Sequence, residues 1–241
     1  MLVDLDAARG RETCLRCLRP LAHCPCAAIV PFPLAFDLAL VMHPSERRVP
    51  IGTARLAHLA VTGSTLVVTA DADAEPRLHR RIDDPHAFPF VLFPPGDGVS
   101  TLDLGRATVA DARAFFPADR RPLALVPDGT WTTARKLVRE SSRLRTLPRV
   151  AFAPTDAPIY DRIRKEPHAH CRSTIEAVHA LIEHLGRLGV ARLPADRAHD
   201  QLLGLVRTLV SRQVTFEPES HRGATRGPRS GRPDEGPLGK P

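Results

Sequence analysis

The sequence predicts an α/β fold built on a parallel or mixed sheet, and three observations carry that prediction. Short apolar runs of four to seven residues alternate with longer amphipathic stretches between positions 36 and 213. The short runs are apolar along their whole length, as strands buried on both faces are, and do not alternate in and out. Pro and Gly sit at the joints, at Pro44, Pro94-Pro95-Gly96, Pro127 and Pro154, where turns demand them.

The first strand is expected over residues 36–42, FDLALVM, and runs into His43-Pro44. A helix over 52–60, GTARLAHLA, follows the charged loop SERR. Further strands are expected at 65–68, 90–93, 123–126 and 150–152. Further helices are expected at 109–116, 132–141, 174–188 and 195–211. Strands separated by helices imply helices on both faces of the sheet. From residue 217 to 241 the composition changes to Pro, Gly, Arg and Ser, with Leu238 the one sizeable apolar side chain. Such a segment buries too little to offset its ordering entropy, so a disordered tail is expected there. The organisation read from the chain is a metal-binding segment over 1–30, a main domain over 31–216 and the tail over 217–241.

Composition narrows the function classes. The chain has 241 residues, 43% apolar and 25% charged, which excludes wholesale disorder and fibrous classes. The apolar stretch over 27–42 is interrupted by Pro31, Pro33 and Asp37, so no membrane span is expected. The opening run MLVDLDAARGRETC lacks the apolar core of a signal peptide, and a cytoplasmic, reducing location is expected. The formal charge is +7, and arginine outnumbers lysine 31 to 3. Much of that bias reads as genome composition, but the cations also cluster. Arg135, Lys136, Arg139, Arg143, Arg145 and Arg149 oppose a single acid, Glu140; Arg162, Arg164, Lys165 and Arg172 follow. Clustered cations point to a polyanionic partner.

Four motifs carry chemistry. In CLRCLRPLAHCPC, Cys14, Cys17, Cys24 and Cys26 are spaced C-x2-C-x6-C-x-C. Four thiolates in two close pairs satisfy a tetrahedral Zn²⁺, and a closed four-sulfur site leaves no room for substrate, so a structural knuckle is expected. His23 could replace one sulfur, and a vestigial or redox cluster is the alternative. In VPDGTW, a strand ends at Pro127, the chain turns at Asp128-Gly129 and Thr130 stands at a helix N-cap. That junction suits an anionic ligand; the plainer reading makes Asp-Gly a turn, Thr130 a cap and Trp131 packing. In RIRKEP followed by RSTIEA, Ser173 or Thr174 caps a helix with Glu176 in capping-box position, and the preceding cations could grip a phosphate or carboxylate. In MHPSERR with GTARL, a loop leaves the carboxyl end of the first strand, again a place for a site. His43 there reads equally well as structural or functional.

Taken in order, C-x2-C…C-x-C, HPSE…TARL, PDGTW and RIRKEP…STIEA resemble the DTW-domain proteins, whose name matches Asp128, Thr130 and Trp131. The resemblance covers roughly residues 14–186. It implies a SPOUT-like fold with a C-terminal trefoil knot that holds the cofactor. It also implies the activity of a tRNA-uridine aminocarboxypropyltransferase, which moves the 3-amino-3-carboxypropyl group of S-adenosylmethionine to N3 of a uridine in the tRNA variable region. On this resemblance Asp128, Thr130 and Trp131 are the catalytic candidates. Pro127, Asp128, Gly129, Arg162, Arg164, Lys165, Ser173, Thr174 and Glu176 are candidates for the cofactor. His43, Glu46, Thr53, Arg55, Arg135, Lys136, Arg139 and Arg143 are candidates for contacting RNA. Asp128 is the candidate base for the N3 proton, with holding the sulfonium or α-amino group as its competing role. The chemistry needs its pKa raised above about 3.9. Two other functions fit the same features: an S-adenosylmethionine-dependent RNA methyltransferase, and a non-catalytic zinc- and RNA-binding accessory protein.

Overall fold

The computed structural model describes residues 12–47, 49, 52–153, 159 and 173–214. Eight strands are described: β1 (Phe32–Pro33), β2 (Asp37–Met42), β3 (Val61–Thr62), β4 (Thr65–Val68), β5 (Ala87–Leu92), β6 (Thr101–Asp103), β7 (Arg121–Asp128) and β8 (Arg149–Ala151). The helices are α1 (Ala54–Ala60), α2 (Pro76–Ile82), α3 (Val109–Phe115), α4 (Trp131–Glu140), α5 (Thr174–Arg187) and α6 (Gln201–Val214). Six strands form one sheet in the order β4-β2-β7-β5-β8-β6, every neighbouring pair parallel. β1 and β3 form a separate two-stranded parallel ladder.

The central strands β2 and β7 are apolar on both sides because both sides of the sheet are covered. Leu38, Leu40 and Met42 of β2 join Ala124 and Val126 of β7 in one core, with α1, α3, α5 and α6 packed on it. The alternate residues Ala39 and Val41, with Leu123 and Leu125, face a second core under α2 and α4. The chain thus leaves β2 through α1 on one face toward β4, and leaves β7 through α4 on the other face toward β8. β2 and β7 lie side by side, with Met42 opposite Asp128. The crevice beyond their carboxyl ends is therefore the topological switch point of the sheet. At the opposite end, Asp37 is paired with Arg121 at 2.8 Å and Arg81 at 3.2 Å.

Each strand and helix expected from the sequence has a counterpart, most with shifted ends and one of them divided. α2 was not expected: PRLHRRI buries little besides Leu78, so it carries no apolar period to read. The helix expected over 195–211 is a 3₁₀ segment followed by α6, because Asp196 and Arg197 take φ of 50° and 53°, outside the helical region. Among the described residues no helix is long and apolar enough to cross a membrane. The expected tail, Cys171 and the cations from Arg162 to Arg172 lie outside the described residues.

Candidate functional site

Asp128 ends β7 with its backbone carbonyl accepting from His43 N at 2.8 Å, which ties together the two chain ends at the switch point. Its side chain is buried. Oδ1 accepts a hydrogen bond from the Thr174 hydroxyl at the start of α5. Oδ2 is also buried and has no hydrogen-bond partner among the described residues. Burial pushes the carboxyl up to about 6, against the stabilising effect of the Thr174 hydroxyl, and the nearby Glu46 carboxylate adds to the rise. An acid that changes charge near neutrality, with one oxygen unclaimed, can accept a proton or hold a cationic group.

The turn after Asp128 is fixed by close packing. A Cβ on Gly129 would stand well inside contact distance of the Thr133 hydroxyl. Thr130 caps α4, its Oγ1 accepting from Thr133 N at 3.2 Å, as the sequence pattern requires. Trp131, the first residue of α4, stacks on Phe93 with ring centroids 5.3 Å apart and planes at 13°. The Arg135 guanidinium lies 5.0 Å from the Trp131 ring centroid, and that of Arg149 lies 5.7 Å from the Phe93 ring centroid. The expected motif residue Trp131 is thus part of an aromatic and arginine wall on the α4 side of the sheet, to which Phe93 contributes. Phe93 was not singled out in the sequence.

The third motif meets the second here. Glu176 is buried and fully engaged: Oε2 accepts from Ser173 N at 3.2 Å and from Ser173 Oγ at 2.5 Å, and Oε1 accepts from Ile159 N at 2.7 Å. This capping box sets the start of α5 and so the position of Thr174. Thr53, also buried, accepts from Ile175 N at 3.3 Å through Oγ1, joining the start of α1 to the same helix end. His43 turns its Nδ1 back onto Ser45, 3.2 Å from the backbone N and 2.7 Å from Oγ. Glu46 is buried on that loop, and Arg55 is half-buried on α1.

Of the cations on and after α4, Arg135, Lys136, Arg139 and Arg145 are exposed. Lys136 and Arg139 share one acid, Glu140, at 3.8 and 3.3 Å. Arg143 is held by Asp83 at 2.5 Å, and Arg149 donates to the Pro94 carbonyl at 2.9 Å. Arg135, Lys136 and Arg139 make the exposed side of α4 positive, and that helix starts beside the switch point.

The four cysteines converge. Their sulfurs all lie within 4.8 Å of one another, with Cys14 Sγ 3.9 Å from Cys26 Sγ and Cys17 Sγ 3.7 Å from Cys24 Sγ. A tetrahedral ion with Zn–S bonds of about 2.3 Å sets its sulfurs about 3.8 Å apart, so this donor set could hold zinc. The turn is closed by Cys14 N donating to the Arg19 carbonyl at 2.7 Å, with Leu18 at φ 59°. Arg19 is buried and donates to the carbonyls of Cys17, at 3.4 Å, and Gly52, which fastens the knuckle to the loop before α1.

These features define a doubly wound α/β protein whose candidate site, built around a buried acid, sits at the switch point of a parallel sheet. The DTW domain matches residues 11–214, and the chain belongs to the DTW-domain family. It is similar to the tRNA-uridine aminocarboxypropyltransferase 2 of Drosophila melanogaster, 26% identical over 181 residues. That match covers 72% of this chain and 66% of the relative, just under two thirds of its length. No solved structure matches the chain significantly.

Proposed function

We propose that this protein modifies tRNA by transferring the 3-amino-3-carboxypropyl group of S-adenosylmethionine to N3 of a uridine in the variable region, releasing 5′-methylthioadenosine. The observation that carries the reading is Asp128: a buried carboxyl at the switch point, raised to about 6, with Oδ2 unclaimed among the described residues. It stands in a family whose Drosophila melanogaster relative bears the corresponding name.

The donor supplies an electrophilic γ-carbon whose leaving group is a neutral thioether, so no acid is needed on that side. The demand falls on the nucleophile. Uridine N3 carries a weakly acidic proton; Asp128 takes it as the N3–C bond forms and the C–S bond breaks. A base near pKa 6 is ionised at neutral pH yet basic enough to share that proton. Thr174 orients the carboxylate, and Ser173 and Glu176 fix Thr174. Trp131 offers a flat surface for a base or the adenine ring. The backbone of Pro127 and Gly129 lines the donor pocket, with Arg162, Arg164 and Lys165 clamping the donor carboxylate. Arg135, Lys136 and Arg139 track the tRNA backbone, and His43, Glu46, Thr53 and Arg55 shape the loop facing it.

The same reading takes Cys14, Cys17, Cys24 and Cys26 as a structural zinc knuckle within residues 1–30. It makes residues 31–216 a SPOUT-like catalytic domain with a trefoil knot, 217–241 a tail, and the cytoplasm the site of action. Mass spectrometry of digested tRNA, after incubation with the protein and S-adenosylmethionine, tests it. A uridine enlarged by the aminocarboxypropyl group is expected. A methylated nucleoside would assign a methyltransferase instead, and unchanged tRNA that the protein nevertheless binds would assign an accessory role.

A further inference from the structure

A second set of metal-ligating side chains lies away from the site, between α5 and α6. His179 and Glu183 are four residues apart on α5 and so share a face. His199 and Asp200 end the 3₁₀ segment that leads into α6. One ligand atom from each lies within 4.8 Å of all the others. His179 Nε2 is 2.9 Å from Asp200 Oδ1, and His199 Nε2 is 2.6 Å from Glu183 Oε1 and 3.7 Å from Asp200 Oδ1. Both imidazoles therefore aim Nε2 at one point between two carboxylates. Four-coordinate N and O ligands at about 2.0–2.1 Å stand about 3.4 Å apart, a spacing these atoms reach with shifts of around an ångström.

From this juxtaposition we propose that His179, Glu183, His199 and Asp200 form a second metal site, for a borderline divalent ion of the Zn²⁺ class, that clamps α6 to α5. Two imidazoles and two carboxylates are the donor set such ions take in preference to Mg²⁺ or Ca²⁺. Arg197 now occupies the position of the cation, with Nη2 2.5 Å from Glu183 Oε1 and Nε 2.8 Å from Asp200 Oδ2. One guanidinium against two carboxylates leaves the cluster negative, and a dication in its place makes it neutral. Arg197 can leave, since its side chain is half-exposed. The backbone that presents the ligands is strained: Asp196 and Arg197 are consecutive non-glycine residues in the left-handed region. Such strain persists only where surrounding contacts impose it. The ion would hold together the helix whose first turn carries Thr174 and the segment whose Gln201 pairs with both backbone groups of Val30, at 3.0 and 2.7 Å.

The test is metal counting on the full-length protein, stripped of metal and titrated with Co²⁺. Two equivalents are expected. One, at the cysteines, should carry intense sulfur-to-cobalt charge-transfer absorption; the other should show only weak ligand-field bands. Cys14→Ser/Cys17→Ser should lose the first and keep the second, whereas His179→Gln should do the reverse. Arg197→Met, which removes the competing cation, should bind the second ion more tightly and melt at a temperature that rises with added Co²⁺. A wild type that binds one equivalent, all of it lost with the cysteines, would overturn the proposal. So would a second equivalent that survives in His179→Gln, or an Arg197→Met protein whose melting ignores the ion.

Discussion

The Thr174 hydroxyl donates to Oδ1 of Asp128, joining the first residue of α5 to the last residue of β7 across 46 positions of chain. Two motifs far apart in sequence thereby act on one carboxylate. The hydrogen bond favours the ionised form and opposes the rise that burial imposes.

Thr174→Val removes that donor while keeping the shape of the side chain. A hydrogen bond to a charged group contributes roughly 1.5–3 kcal/mol, so the Asp128 carboxyl should rise by about one to two pH units. The acidic limb of the pH–rate profile of kcat/KM should move upward by that amount. Thr174→Ser, which keeps the hydroxyl, should leave the limb in place.

Asp128 also ties stability to pH. Its folded pKa, about 6, lies above its ordinary value of 3.8. Its contribution is therefore fully present below about pH 4 and is lost as pH rises through about 6. Asp128→Asn keeps a neutral group that accepts from Thr174. Measured by urea unfolding, the variant should gain about 2–3 kcal/mol relative to wild type between pH 4 and pH 8. A stability difference that stays constant over that range would mean Asp128 does not carry the shift.

Much of this arrangement was legible in the sequence, and the reason differs by element. β2 and β7 announced themselves because strands covered on both faces are apolar throughout. The cysteine knuckle needed only local spacing, and the caps followed from capping patterns, Thr130 outright and Ser173 as one of two choices with Thr174. The Thr174–Asp128 contact was not legible, since it depends on β2, β7 and α5 being brought together by the strand order. Phe93 was hidden for the same reason: its stack on Trp131 joins segments 38 positions apart. Glu46 stood on a charged loop among the candidates for contacting RNA, and only the fold shows it buried beside Asp128. The cluster of His179 and Glu183 with His199 and Asp200 left half a signal, the four-residue spacing on a helix. Its other half was concealed by the left-handed residues that break the expected helix at 196–197.

Zinc should be present at about one equivalent at the cysteines. Elemental analysis should show that equivalent lost in Cys14→Ser/Cys17→Ser and unchanged in Cys171→Ser. Because Arg19 fastens the knuckle to Gly52, chelation should also lower the melting temperature of the whole domain rather than release a local segment alone.

On the proposed function, the positive face should make tRNA binding depend on salt. Each phosphate contact contributes about 0.7–0.9 to the slope of log K against log salt. The triple variant Arg135→Ala/Lys136→Ala/Arg139→Ala should reduce that slope by about two to three. Arg143→Ala should change it much less, because Asp83 already engages that guanidinium. Equal losses from both variants would show that the exposed face of α4 is not the RNA surface.

The most direct measurement is the nucleoside by-product formed when the protein is incubated with S-adenosylmethionine and unmodified tRNA. Attack at the γ-carbon leaves 5′-methylthioadenosine, and attack at the methyl carbon leaves S-adenosylhomocysteine. The account predicts 5′-methylthioadenosine in step with modified uridine, and its near-complete loss in Asp128→Asn with the fold intact. Release of S-adenosylhomocysteine, or undiminished turnover in Asp128→Asn, would contradict it.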